Sequence, residues 1–183
     1  MLPGHAIVLR PPAAGDIDAF LSIHADPRTN THNPAGPLED LDEAQRVLDR
    51  WLDDWRTEGI GYWALEEKPE RRVIGFAGIR TIQAGDVEMF NLYYRLAPEA
   101  WGRGIAAGAA REAVAWAHRE CPERPIVARM QPGHVASART AGRAGLREVG
   151  HDRWGRTVMA DRPISSELLV ALPSAGRAAD LAR

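Results

Sequence analysis

Two glycines flank an arginine at residues 102–104, where a strand-like segment passes directly into a helix-like one. The first N–H groups of a helix have no backbone partner, and the helix dipole adds partial positive charge at that end. Gly102 and Gly104 carry no Cβ, so an anion can approach these N–H groups closely, and Arg103 can add a charged contact. The pattern predicts a binding site for phosphate or pyrophosphate.

An alternative interpretation is that the glycines only turn the chain, because a lone Gly-x-Gly is weak evidence for a ligand site. Two familiar phosphate motifs are excluded by the sequence. It has neither the third glycine and following acidic residue of the dinucleotide fingerprint nor the Gly-Lys-Ser or Gly-Lys-Thr of a Walker loop. If the turn binds an anion, it does so through another motif.

The composition is that of an ordinary folded domain, since 45% of the 183 residues are hydrophobic and 26% are charged. The formal net charge of -2 gives no broad electrostatic attraction for nucleic acid. Cys121 is the only cysteine, which excludes an internal disulfide, and the histidines show no metal-ligand spacing. Because the sequence has neither a signal-like start nor a long apolar run, we expect a cytoplasmic protein without membrane partners and without a metal.

Hydrophobic periodicity predicts one α+β domain over residues 1–165, followed by a tail of uncertain order over residues 166–183. The middle strands should pair antiparallel through short polar turns, whereas the strand–helix–strand unit at 87–130 should form a parallel pair by a right-handed crossover. We expect a mixed, mostly antiparallel sheet of about seven strands with about four helices. The predicted elements are strand 5–10, helix 16–26, loop 28–37, helix 39–55, strands 61–66, 73–79 and 87–96, helix 102–119, strand 125–130, helix 135–144 and hairpin strands 146–150 and 156–160.

Residues 101–106 resemble the cofactor motif Gln/Arg-x-x-Gly-x-Gly/Ala of the GNAT superfamily of acyl-CoA N-acyltransferases, with Trp101 at the Gln/Arg position. A second stretch, residues 134–137 followed by the Gly-Leu pair at 145–146, resembles the Asn-x-x-Ser and closing Gly-Phe pattern of the same family. The resemblance covers about residues 6–161. Two separate motifs therefore indicate this family.

Two further runs, at 33–37 and 98–102, are similar to the RimJ/RimL-type branch, which is named for acetylating ribosomal-protein N-termini. The resemblance implies a GNAT-like fold with a splayed central parallel pair, acetyl-CoA as co-substrate and an amine as acceptor; a homodimer also fits the family. In the family, the fourth strand offers its backbone to pantetheine, and backbone amides hold the pyrophosphate. The cofactor contacts that this implies are Tyr94, Arg95, Leu96, Trp101, Gly102, Arg103, Gly104, Ile105, Ala106, His134 and Ser137.

The family reaction is direct attack by a neutral amine, which needs a polarised carbonyl, a base for the amine and an acid for the thiolate. The resemblance points to a main-chain N–H near Tyr94 for the carbonyl. Many relatives use a tyrosine as the acid, but Ala141 holds that position, so Ser137 is the candidate; the alternative is that Ser137 only caps a helix. Relatives often place a glutamate that acts as general base where this chain has Asn91, which cannot take up a proton at neutral pH. Glu88, three residues earlier on the same strand, is therefore the candidate base. Glu88 faces the opposite side by simple alternation unless the strand bulges, and the alternatives are a water relay or a solvated carboxylate.

The remaining site residues are predicted from their positions in loops. His134 replaces the asparagine of the family motif and could carry a proton or contact pantetheine, or could have no role. His32 and Asn33 lie in the loop that borders the acceptor site in this family. Together with Asn91 they are the candidate substrate contacts.

The leading hypothesis is an acetyltransferase acting on a primary amine, either a protein N-terminal α-amine or a small molecule such as an amino acid, polyamine or antibiotic. Resemblance of fold does not choose among these acceptors. A catalytically silent acyl-CoA-binding module is the alternative, because Asn91 and Ala141 depart from the family pattern. A nucleotide-phosphate binder is a weaker third hypothesis.

Overall fold

The computed structural model describes residue 2 and residues 6–174. The strands are β1 (Ile7–Arg10), β2 (Tyr62–Glu67), β3 (Arg72–Ala84), β4 (Val87–Leu96), β5 (Ile126–Met130), β6 (Arg147–His151) and β7 (Thr157–Ala160). The helices of the described residues are α1 (Ile17–Ala25), α2 (Pro27–Asn30), α3 (Leu41–Glu58), α4 (Ile105–Glu120), α5 (Val135–Arg143) and α6 (Ser166–Ala171). The strands form a single sheet in the order β1-β2-β3-β4-β5-β7-β6, which confirms the predicted fold class.

Helix α3 forms because its apolar side chains recur on one face and because both ends have suitable caps. The Asp40 side chain accepts a hydrogen bond from the Glu43 N–H at the start, and Gly59 ends the helix in the left-handed conformation with φ 69°. Trp51 on the buried face packs edge-on against Phe20 of α1. The two helices thus cover one side of the sheet together.

The segment at 28–37, which the sequence predicts as a loop, begins inside the short helix α2. Asp26 caps it by accepting a hydrogen bond from the Arg28 N–H, and Pro27 suits the first helical position. The buried Asn30 amide donates to the carbonyls of His24 and Asp26. These bonds fix the start of the loop that follows, so the loop is anchored to α1.

Helix α6 lies within residues 166–183, the segment predicted as a tail of uncertain order. Ser165 caps it, and Leu169 and Leu172 are buried against the ends of the central strands. A helix of this length is too short to show a clear period in the sequence. The rest of that segment, residues 175–183, lies outside the described residues.

Strands β3 and β4 form the longest hairpin, paired without interruption from Gly75 opposite Leu96 to Ala84 opposite Val87. On the other edge of β4 the parallel pairing with β5 comprises only Phe90 with Ile126 and the next residue pair. Beyond Asn91 the two strands diverge. The pairing confirms the predicted parallel pair, and the divergence opens the sheet at its centre.

Helix α4 packs on the opposite face of the sheet from α1 and α3. Its buried face is built from small residues, including Ala109, Ala110 and Ala113, which allow the helix backbone to lie close to β3 and β4. Helix α5 packs beside it, with Ala141 in the same hydrophobic cluster as Phe90. Within the described residues no helix is both long enough and apolar enough to cross a membrane.

Candidate active site

The divergence of β4 from β5 leaves part of a strand edge without a neighbouring strand. Phe90 donates its N–H to the Pro125 carbonyl on the β5 side, and Ala97 donates its N–H to Ile74 on the β3 side. Peptide groups of alternate residues point to the same edge of a strand, so Tyr94 directs its N–H and C=O towards the β5 side. Pairing with β5 has already ended there, so these groups face the gap between the strands.

The glycine turn begins immediately after this strand edge. Gly102 and Gly104 adopt φ values of 73° and 77°, which side chains resist, and a Cβ at either position would meet no atom within 4 Å. Gly104 is the N-cap of α4 and supplies no side-chain acceptor to the first N–H groups of the helix. The turn therefore presents helical N–H groups to open space, as an anion site requires.

Trp101 ties the turn to the end of β4. Its indole Nε1 donates to the Leu96 carbonyl at 2.9 Å, and half of its surface is exposed. The side chain at the Gln/Arg position of the motif thus contacts the chain itself. Arg103 points away from the turn, where its Nη2 lies 2.6 Å from Glu67 Oε1. In this arrangement the Arg103 side chain is paired with Glu67, and its contact with the cofactor stays a prediction.

One cavity of roughly 890 Å³ joins the glycine turn, the splayed part of β4 and the loop after α2. Its walls come from both sides of the sheet because the gap between β4 and β5 connects them. Two predicted site residues, Arg103 and Glu88, do not line it. The predicted residues that do are His32, Asn33, Asn91, Tyr94, Arg95, Leu96, Trp101, Gly102, Gly104, Ile105, Ala106, His134 and Ser137.

Glu88 lies near the start of β4, away from the cavity. Its carboxylate is half-exposed and forms an ion pair with Arg124 at 2.6 Å. The β3–β4 pairing contains no bulge, so Glu88 and Asn91 keep the opposite faces that simple alternation gives them. The structure thus separates the candidate base Glu88 from the cavity.

Tyr94 and Ser137 meet where β4 passes the first turn of α5. The Tyr94 hydroxyl donates to the Ser137 carbonyl at 2.8 Å and lies 3.0 Å from Ser137 Oγ. Because the phenol has one proton and gives it to the carbonyl, Ser137 Oγ is the donor in the second bond. Burial raises the pKa of Tyr94 to about 12, against hydrogen bonds from Ser137 and the Ala141 backbone.

The contact with Ala141 shows what the sequence reasoning missed. That position lacks the tyrosine of many relatives, but the hydroxyl of Tyr94 on β4 lies within hydrogen-bond reach of the Ala141 backbone. Part of the signal was present in the sequence, because Tyr94 and Phe90 are an even number of residues apart on one strand and their side chains therefore share a face. In the structure this is the face that packs against α4 and α5. The site therefore contains a tyrosine hydroxyl beside Ser137.

Two further buried pairs line the opposite wall. Asn91 Nδ2 donates to the Tyr62 hydroxyl at 2.7 Å, and burial raises the pKa of Tyr62 to about 12. His24 Nδ1 lies 2.8 Å from the Phe20 carbonyl, so this nitrogen carries the proton and Nε2 accepts from the Tyr93 hydroxyl. Burial, assisted by the positive charge of Arg95, lowers the pKa of His24 to about 3. The imidazole is therefore neutral near pH 7 and a poor proton acceptor.

The loop after α2 meets the start of α5 across the cavity. The rings of His32 and His134 stack with centroids 4.0 Å apart. Burial, and then the neighbouring His32, lower the pKa of His134, which favours its neutral form. Asn33 donates to Asn30 Oδ1 and to the Gly36 carbonyl, so its amide holds the loop in shape.

Three arginines that the sequence analysis did not select, Arg80, Arg129 and Arg156, also line the cavity. They lie on or directly beside strands that are far apart in the sequence, and no motif marks them. Across residue 2 and residues 6–174 no group of three or more His, Cys, Asp or Glu side chains could hold a metal ion.

A family model described as an acetyltransferase (GNAT) domain matches residues 6–147. With its splayed strand and glycine turn, the chain belongs to the GNAT acetyltransferase family.

The chain is also similar to individual proteins. The uncharacterized protein YkkB of Bacillus subtilis (strain 168) is 30% identical over 88 residues, which are 48% of this chain. The chain spans about half (51%) of the length of that relative. An acetyltransferase structure from Agrobacterium tumefaciens str. C58 superimposes with a TM-score of 0.70 at 27% identity, covering 84% of this chain and 89% of the other. A Vibrio cholerae spermidine N-acetyltransferase, solved with CoA and spermine, shares the fold with a TM-score of 0.67 at 15% identity, covering 85% and 93%.

Proposed function

We propose that this protein transfers an acetyl group from acetyl-CoA to a primary amine by direct attack. The observation that carries the proposal is that the glycine turn of α4 and the free edge of β4 open into one cavity. The turn suits the pyrophosphate, and the peptide groups facing the gap suit the amides of pantetheine. An acyl-CoA held at both places would bring its thioester to the centre of the sheet.

Tyr94 and Ser137 would polarise the thioester carbonyl and protonate the leaving thiolate. The Tyr94 N–H, which faces the gap, would hydrogen-bond the thioester oxygen as negative charge develops there. As the C–N bond forms and the C–S bond breaks, Ser137 Oγ would give its proton to the thiolate. The Tyr94 hydroxyl, 3.0 Å from Ser137 Oγ, would turn from the Ser137 carbonyl to donate to the serine oxygen, and the proton that the amine releases to water would restore the pair.

The attacking side has no obvious carboxylate base. Among the described residues that line the cavity, Glu43 is the only carboxylate, and its Oε2 accepts a hydrogen bond from a backbone N–H. We propose instead that the amine loses its proton to water near Asn91.

Thiol release from acetyl-CoA tests the proposal. The purified protein is incubated with acetyl-CoA and a panel of amino acids, polyamines, aminoglycosides and peptides, and free CoA is measured with a thiol reagent. We expect release that depends on an amine and on the protein. Binding of acetyl-CoA without release by any amine would instead support a silent acyl-CoA-binding module.

Two controls separate the remaining alternatives. Displacement of acetyl-CoA by ATP in a thermal-shift titration would identify a nucleotide-phosphate binder. Selective turnover of peptides with a free N-terminus would support membership of the RimJ/RimL-type branch, whereas turnover of small amines alone would argue against it.

A further inference from the structure

Three arginine side chains converge beside the gap between β4 and β5, on the face that carries α1 and α3. Arg80 lies opposite Asn91 in the β3–β4 pair. Arg129 stands two residues beyond the β5 partner of Asn91, and Arg156 stands two residues before the β7 partner of Arg129. Opposite residues and alternate residues share a face, so the three guanidinium groups border the same part of the cavity.

Each of these side chains keeps a buried N–H group without an acceptor. Arg156 is 93% buried; its Nε pairs with Asp152 at 2.7 Å, but its Nη2 has no partner. Arg129 donates from Nη1 to a backbone carbonyl, while its Nε is unpaired. Arg80 Nη1 is unpaired too, and Arg80 Nε lies 3.3 Å from Asp54 without hydrogen-bond geometry. Buried donors of this kind are rare and favour an acceptor that arrives from the cavity.

The charge of the cluster points in the same direction. Asp152 and Asp54 each face one arginine, whereas Arg129 forms no ion pair with any carboxylate of the described residues. Burial, followed by the nearby Arg156, lowers the pKa of Arg129 to about 10, so it remains charged near pH 7. An excess buried positive charge is stabilised by an anion.

We propose that Arg80, Arg129 and Arg156 bind an anionic group of the acceptor, so that the substrate is a small amine bearing a carboxylate or phosphate, such as an amino acid. This inference rests on the proposed function. Guanidinium groups present forked donors that match the oxygens of carboxylate and phosphate. A polyamine would place further positive charge beside the cluster, in a cavity whose described lining includes six arginines and one carboxylate.

The first experiment measures anion binding without turnover. Acetate and inorganic phosphate are titrated calorimetrically into CoA-saturated protein, in which the cofactor's phosphates already fill the glycine turn. We expect binding that weakens about tenfold or more in Arg129→Met, which keeps the length of the side chain, and not in Arg119→Met on the exposed surface of α4. The anion that binds more tightly indicates whether the acceptor carries a carboxylate or a phosphate. Equal binding by wild type and a folded Arg129→Met would overturn the inference.

The second experiment uses matched amines with the wild-type protein, so it does not depend on the folding of a variant. Amino acids and amino phosphonates are compared with the corresponding amines that lack the acid, with thiol release as the readout. We expect a kcat/KM at least about tenfold higher for the acids, a preference that Arg129→Lys reduces. Equal turnover of both members of each pair, or better turnover of polyamines, would overturn the inference but leave the acetyltransferase intact. Anion binding that is lost in Arg129→Met, with no thiol release from any amine, would overturn the proposed function but leave the anion site.

Discussion

Replacing Gly104 by glutamate places a carboxylate where the structure presents the free N–H groups of α4. The variant combines two effects, the strain of a side chain at φ 77° and a negative charge at the glycine turn. The chain offers a matched control, because Gly155 in the β6–β7 turn also has φ 77° and open space around the position of a Cβ. Gly155→Glu therefore reproduces the strain at a position that does not line the cavity.

The size of each effect follows from the geometry. Left-handed backbone costs a residue with a Cβ about 1–2 kcal/mol, so both variants should lose that much free energy of unfolding. A carboxylate about 5 Å from one phosphate charge, at an effective dielectric constant near 20, adds about 3 kcal/mol of repulsion. That repulsion corresponds to an acetyl-CoA affinity about 100-fold weaker in Gly104→Glu alone.

The assay is calorimetric titration of acetyl-CoA into wild type and the two variants, after urea unfolding has shown that both variants are folded. We expect equal losses of stability and a loss of affinity confined to Gly104→Glu. An affinity within about threefold of wild type in folded Gly104→Glu would refute the placement of the pyrophosphate at this turn.

Three further predictions concern the residues around the cavity. Tyr94→Phe and Ser137→Ala should each lower kcat for thiol release about 100-fold, and the double variant should lose little more, because the two hydroxyls act as one acid; additive losses would contradict the pairing. Trp101→Phe should lower the free energy of unfolding by about 1 kcal/mol through loss of the bond to Leu96, and an unchanged urea midpoint would contradict it. His24 stays neutral when folded, with a pKa of about 3, so stability should fall by about 2 kcal/mol as the pH falls from 6.5 to 5, where only the unfolded chain gains the proton. Urea titrations at both pH values should show that the free energy of unfolding falls less between pH 6.5 and 5 in His24→Gln than in wild type. Equal losses in the two proteins would contradict this account.

The cofactor side of the site was predictable because it is encoded locally. Residues 101–106 form a strand–turn–helix unit whose glycines, spacing and flanking periodicity all lie within a few positions. The same holds for the two long helices and for β2 and β4, which formed close to their predicted bounds, whereas β3 runs on to Ala84, beyond its predicted end at residue 79. Arg103 is the exception, since its side chain could turn to the phosphate site at the glycine turn or to Glu67, and the sequence contains no signal that decides between them.

The acceptor side was not predictable in the same way, because residues far apart in the sequence build it. Arg80 lies on β3, Arg129 on β5 and Arg156 just before β7, and only the sheet order brings them to one face. The contact of the Tyr94 hydroxyl with Ser137 is visible only once β4 and α5 are packed. The candidate base at Glu88 depended on a bulge that β4 does not contain.

Direct transfer to an amine is tested most directly by a single-turnover experiment with acetyl-CoA labelled with ¹³C in the acetyl group. The protein is held in excess, the reaction is quenched at intervals, and free thiol, labelled amine and the intact mass of the protein are followed together. We expect the label to reach the amine nitrogen at the rate at which thiol appears, while the mass of the protein stays unchanged. Acetyl-CoA that stays bound and unconsumed, or an acetylated protein that forms before the product, would contradict the mechanism.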